Sequence, residues 1–442
     1  ITMDHKESPQ DQIKPIIKLF FSGQVQEALD AVETLINDFP NEPLLLNICG
    51  VFYKEIGQLD EAIKRFKEAL AINPEYAEAH NNLGVTLQNL GLMDEAVQSY
   101  EKALSFKPDY TEALNNLGVI QQNLGLMDEA VKSYEKALSF KPDYTEAHNN
   151  LGNIFKELEQ LDAAVKSYEN VIAINPDYPE AHYNLGNTLR QLGQLETAIK
   201  SYDKVIAIKP DYVGAHFNLG DTLRELGQLD AAVKSYEKAR AIKPDHVGAH
   251  NNLGISLHKL KQLDDAVKSF KKAIVIEPGF AEAHNNLGNV LKALGQFDAA
   301  VKSYEKVLAI NPDFADAYNN LGVTYMDLGQ EDKAIKYYKK ALDINPDFAT
   351  AHNTLGVAHM NLGQLDAAIN CYKKALVIEP DYAEAHHNLG MTVQTLGQLD
   401  EALESYSHAN MLKPDLDYIL GTVLNTKMHL CIWDDLPNYL TE

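Results

Sequence analysis

Proline recurs every 34 residues along this chain, at Pro40, Pro74, Pro108, Pro142, Pro176, Pro210, Pro244, Pro278, Pro312, Pro346, Pro380 and Pro414, with no slip in register. A fixed period of that size describes one supersecondary unit stacked on its neighbours, not one globular core. It overrides the two or three domains that 442 residues would otherwise suggest. It also moves the functional question from a pocket to a long surface.

Within one period, Leu83, Leu87 and Leu90 recur at helical spacing and predict one apolar stripe. Gly91 ends that helix, as a glycine just past a helix C-terminus does. Asp94 opens a second helix whose buried face is Ala96, Tyr100, Ala103 and Leu104, and Pro108 closes it. Each period therefore predicts a helical hairpin. The Gly84 position recurs from Gly50 to Gly390 and the Ala96 position from Ala28 to Ala402. Small residues on both helices predict a close approach of the two backbones.

The run Ala77-Glu78-Ala79-His80-Asn81-Asn82-Leu83-Gly84, followed by Leu87, Gly91, Ala96, Tyr100, Ala103 and Pro108, resembles the tetratricopeptide repeat. The resemblance implies an all-α fold, a right-handed α-solenoid superhelix of tandem 34-residue helix-turn-helix units, with the first helix of each hairpin lining a concave groove. Residues 1–8 read as a disordered tail or an added remnant, 9–42 as a degenerate first repeat and 43–416 as eleven repeats. Residues 417–442 read as capping helices or the start of a following domain, because the register breaks after Asp415. The turn glycine is replaced at Glu159 and Lys261, which predicts strained corners.

The chain carries 39 basic and 63 acidic residues, a formal charge of −24. That balance argues against nucleic acid and anionic membrane as partners, since both need a cationic surface. Cys49, Cys371 and Cys431 form no paired framework, and no secretory or membrane-spanning stretch is evident, so a cytoplasmic location is expected. Cys49 occupies an apolar repeat position and is expected in the core. No GxxxxGK, CxxC or HExxH run occurs, and the abundant Tyr, Asp, Ser and His follow the repeat. No catalytic residue, cofactor or metal is expected. His80, His148, His182, His216, His250, His284, His352 and His386 share one register position. Neighbouring hairpins lie roughly 10 Å apart, while a metal needs its donors within about 2.1 Å. They are expected to pack and to hydrogen-bond.

The polar positions of the first helix are the binding candidates. One row holds Asn82, Asn116, Asn150, Asn184, Asn218, Asn252, Asn286, Asn320 and Asn388, with Thr354 as the exception. An amide offers donors and an acceptor together, and so pairs with a peptide unit whatever its side chain. A second row places Lys156, Arg190, Arg224, His258 and Lys292 in successive repeats, with Asn153 and Asn187 one turn earlier. This basic stripe predicts a preference for acidic or polar segments. The expected partners are proteins or peptides in extended conformation. The asparagine row is similar to that of O-GlcNAc transferase-like repeats, and the segment from Leu424 to Asp435 resembles the connector after the repeats in bacterial enzymes of the O-GlcNAc transferase and SPINDLY-like type. That likeness implies an alternative role, a substrate-recruiting arm of a protein glycosyltransferase. A homo-oligomer through Ile432, Trp433 and Leu436 is a further expectation.

Overall fold

The structure, a computed structural model, describes residues 9–416 and 419–432; the expectations for residues 1–8, Trp433 and Leu436 lie outside these. Among the described residues there are 25 helices and no strand. They form twelve hairpins and one further first helix, Ile419–His429. The chain divides after Ala215, inside the helix Val213–Glu225, into two units described separately.

A representative hairpin pairs Ala77–Asn89 with Met93–Phe106. Leu83 and Leu87 are buried as expected, but Leu90 lies past the helix end and is 41% exposed. The turn explains this. Gly91 has φ +79°, its N–H donates to the Gln88 carbonyl, and the Leu92 N–H donates to the Leu87 carbonyl. This pair of bonds satisfies the last carbonyls of the helix and requires a left-handed residue, which glycine adopts without steric cost. Glu159 and Lys261 hold the same geometry at φ 58° and 62°, so both corners are strained as the sequence predicted.

The glycine inside the first helix has another partner than the expected one. A Cβ on Gly84 would sit 2.7 Å from Cε1 of Tyr100. The fully buried tyrosine ring therefore packs directly against the first helix at its glycine, and the same contact recurs at Gly118 and Tyr134 and at Gly220 and Tyr236. Ala96 and Ala103 are also fully buried on the second helix. Cys49 is buried in the core of the first repeats, where desolvation pushes its thiol up to about 12.

The repeat register that the sequence loses after Asp415 persists in the backbone. Ile419, Val423 and Thr426 are buried 34 residues after Ala385, Leu389 and Thr392. Cys431, 34 residues after Gly397, has φ 57° and closes the same pair of turn hydrogen bonds. Ile419–His429, a helix expected here as a cap, is thus a thirteenth first helix; its place in the register was hidden because Ile419 and Cys431 stand where other repeats carry alanine and glycine.

Candidate polypeptide-binding face

The two asparagine rows bond to each other from one hairpin to the next. In the unit up to Ala215, Asn82 Nδ2 donates to Asn47 Oδ1 (3.0 Å), Asn116 to Asn81 (3.1 Å) and Asn150 to Asn115 (3.1 Å). In the unit from His216, Asn286 donates to Asn251 (3.2 Å), Asn320 to Asn285 (3.0 Å) and Asn388 to Asn353 (3.0 Å). The acceptors Asn47, Asn81, Asn115, Asn251 and Asn353 are buried, and the donors are half-buried. Thr354 keeps the seam with its hydroxyl, which donates to Asn319 Oδ1 at 2.9 Å. One amide hydrogen of each of these six ladder asparagines thus ties hairpins together. Among the described residues, the Oδ1 atoms of Asn82, Asn116, Asn150, Asn286, Asn320 and Asn388 accept no hydrogen bond.

The seam changes where the acceptor row loses its asparagine. Tyr183 and Phe217 stand there. Asn252 donates instead to Asp221 Oδ1 at 2.8 Å. Asn184 departs from the pattern although its acceptor Asn149 is present: it takes Asn153 Oδ1 at 3.4 Å, and the buried Oδ1 of Asn149 is left without a partner. The two aromatics need room, and the following first helices supply it with glycine: a Cβ on Gly214 would lie 3.0 Å from the Tyr183 hydroxyl, and one on Gly248 3.3 Å from Phe217.

The remaining candidates divide by role. Asn153 and Asn187 accept hydrogen bonds from the buried hydroxyls of Tyr168 (2.7 Å) and Tyr202 (2.8 Å). They anchor the core, and their carbonyls are engaged there. Arg224 donates from Nε to the Tyr236 hydroxyl (3.3 Å) and lies 3.9 Å from Asp221, so part of its charge is answered within its own hairpin. Lys292 is half-buried, and desolvation holds its ammonium below the usual value, with Asp327 acting against that shift. Lys156 and Arg190 are half-buried in the last turn of their helices.

The histidine row is hydrogen-bonded. Nε2 of His80, His148, His182, His250, His284, His352 and His386 donates to the carbonyl of the proline six residues earlier, at 2.9–3.1 Å. The periodic proline and the periodic histidine are one device that pins the linker to the next first helix. Among the described residues no group of His, Cys, Asp or Glu is arranged to hold a metal, and no helix is long and apolar enough to cross a membrane.

Sequence reasoning named the ladder but missed its acceptor row as a partner. The regular spacing of 35 residues from each acceptor to the next donor was the available signal. It also missed Tyr318, Tyr325 and Tyr337, which gather with Lys333 and Lys340 in one repeat. There the signal was a tyrosine at 337 where other repeats carry serine, as at Ser99 and Ser133.

Hairpins of this geometry, in tandem, define a helical repeat protein. Family models described as TPR repeat match residues 50–91, 127–159, 152–193, 186–224, 220–261, 256–295, 288–329 and 360–397. Models described as tetratricopeptide repeat match 77–110, 315–348, 337–370 and 383–416. The chain belongs to the tetratricopeptide repeat family. Among solved structures it is similar to yeast Tom70 (15% identity, 98% of this chain and 99% of that one, TM-score 0.49). It is also similar to MamA (34% identity, 38% and 97%, TM-score 0.34) and to YrrB, titled a TPR protein with an unusual peptide-binding site (27% identity, 42% and 96%, TM-score 0.38). No curated protein matches the chain. The expected likeness to O-GlcNAc transferase finds no support among these relatives. A tandem array of this family fits a protein-interaction role.

Proposed function

We propose that the chain is a protein-interaction scaffold that holds extended polypeptide segments along the asparagine rows. The observation that carries this reading is the division of labour within each ladder amide. One N–H is spent on the seam, while Oδ1 accepts no bond among the described residues at six positions. A carbonyl acceptor and a second N–H are then on offer at each of these six positions, the pair of groups a peptide unit needs. Lys156 and Arg190 in one unit, and Arg224 and Lys292 in the other, add a preference for acidic or polar segments. The role is non-catalytic, and the partner is a protein or peptide in extended conformation.

The chain itself supplies the variant that tests this. Thr354 preserves the seam while lacking the amide. Asn82→Thr, Asn116→Thr and Asn150→Thr together should leave the melting temperature nearly unchanged. The probe is a peptide selected on the wild-type chain from a random display library. Its affinity should fall by roughly tenfold or more, as expected for the loss of several hydrogen bonds of about 0.5–1.5 kcal/mol each. Equal affinity in a variant of equal stability rejects the ladder as the grip.

A further inference from the structure

A second periodic surface shares no residue with the ladder. Between consecutive second helices lies a groove, walled by Leu70, His80, Leu83, Leu87 and Phe106 and bottomed by Ser99, with a volume of about 610 Å³. Grooves in the same register recur beside His182 (about 580 Å³) and His352 (about 550 Å³). In repeat 315–348 the wall positions of His80 and Leu87 and the floor position of Ser99 are held by Tyr318, Tyr325 and Tyr337. The Tyr337 ring stacks on Tyr325 at 5.3 Å with planes 3° apart and lies 6.3 Å from Tyr318. Lys340 stands over Tyr318 at 5.5 Å and Lys333 over Tyr325 at 5.2 Å. This repeat has thus put an aromatic ring at the position where Ser99 borders an open groove, and ammonium groups lie over the two wall rings, Tyr318 and Tyr325.

We propose that the open groove at Ser99 is a docking site for a tyrosine or phenylalanine side chain of a partner protein, seated as Tyr337 is seated in its own repeat. The walls suit a ring: Leu83 and Leu87 are apolar, and His80 already stacks on Phe106 at 5.8 Å with planes 17° apart. Lys102 holds the place of Lys340, and Lys67 also lines the groove, so two cationic side chains border the space that an incoming ring would enter. An aromatic anchor in a preformed apolar pocket is the kind of contact that concentrates binding energy at interfaces.

The test uses the full chain with methyl-labelled leucine and N-acetyl-tyrosinamide as probe, with N-acetyl-leucinamide as control. The aromatic probe should move the Leu83 and Leu87 methyl signals upfield through its ring current, and the aliphatic one should not. In Ser99→Tyr the groove is filled from within, and the displacement should vanish. Should that variant unfold by circular dichroism, Tyr337→Ser gives the converse: a new groove, and an upfield displacement at Leu321 that the wild type lacks. Equal response to both probes, or Ser99→Tyr folded and responding as the wild type does, overturns the proposal. Self-association of the wild type that Ser99→Tyr abolishes also overturns it, in favour of a second copy as occupant. The ladder variants leave this groove intact, so the two readings fail separately.

Discussion

Tyr134 and Tyr236 occupy the same register position in two hairpins, and their rings do the same work. Each is fully buried against a first-helix glycine, Gly118 and Gly220, whose added Cβ would fall 2.6 and 2.7 Å from Cε1. Their hydroxyls differ completely. Tyr236 donates to Asp221 at 2.6 Å and accepts from Arg224. The Tyr134 hydroxyl is buried with no partner, because Val119 stands in the place of Asp221 and Gln122 donates to Glu157 instead. The ring serves the repeat, and the hydroxyl serves whichever polar residues the neighbouring helix presents. Burial pushes both hydroxyls well above their ordinary pKa, so both remain protonated at any working pH.

The largest effect tests the shared half of the comparison. Gly118→Ala and Gly220→Ala should each destabilise by about 2–3 kcal/mol in denaturant titrations, since a methyl forced into a packed ring cannot be relieved by a small side-chain movement. A loss in only one of the two would show that the rings are not equivalent. The next effect tests the half that differs. Tyr236→Phe should cost about 1–2 kcal/mol, because buried Asp221 loses a donor, whereas Tyr134→Phe should be neutral or stabilising, because an unsatisfied hydroxyl leaves the core. Equal costs would break the comparison.

The same division explains what the sequence made legible. The hairpins, their turns and the buried Ala and Tyr positions depend on side-chain size and backbone sign, which a 34-residue pattern displays directly. The glycine at 84 was visible, but its reason was not, because its partner is sixteen residues away on the second helix and large where a small one was expected. Asn153 and Asn187 read as ligand contacts because they lie on a polar row, yet the buried tyrosine hydroxyls claim them. Polar side chains choose among partners one turn or one hairpin away, and residue type alone does not say which. The register of the thirteenth first helix was hidden for a related reason. Cys431 and Ile419 keep the geometry while standing where other repeats carry glycine and alanine, as at Gly397 and Ala385.

The turn that follows the first helix sharpens the point on a smaller scale. Gly125 and Gly227 serve the two compared hairpins at φ 77° and 74°, whereas Lys261 takes φ 62° with a Cβ in place. Lys261→Gly should stabilise the chain by about 1 kcal/mol, the cost of a non-glycine residue in the left-handed region. An unchanged or lower midpoint would mean that its side chain repays the strain by contacts elsewhere.

The smallest effect concerns the residue that leads into the next repeat, Tyr144 after one hairpin and His246 after the other. The His246 ring lies 4.8 Å from that of Phe217 with planes tilted by 35°, and its Nδ1 accepts the Ala249 N–H at 3.0 Å, capping the following helix. Burial holds its pKa below the ordinary histidine value; nearby Lys243 acts in the same direction, while its own backbone hydrogen bond, Asp245 and Asp221 oppose. His80, His250 and His387 are depressed for the same leading reason, and their buried Nδ1 atoms have no partner. A folded-state pKa below the unfolded value of about 6.5 means that the unfolded chain binds more protons in that window. Stability is therefore full above about pH 6.5 and falls as acid charges the unfolded histidines first. Melting temperatures should drop between pH 7.5 and 5.5, and His246→Tyr, which copies Tyr144, should reduce the drop by a few tenths of a kcal/mol, within what a partly exposed group contributes. An identical pH response in the variant would remove His246 from the set, and a flat response in the wild type would dismiss these four histidines as a source of acid sensitivity.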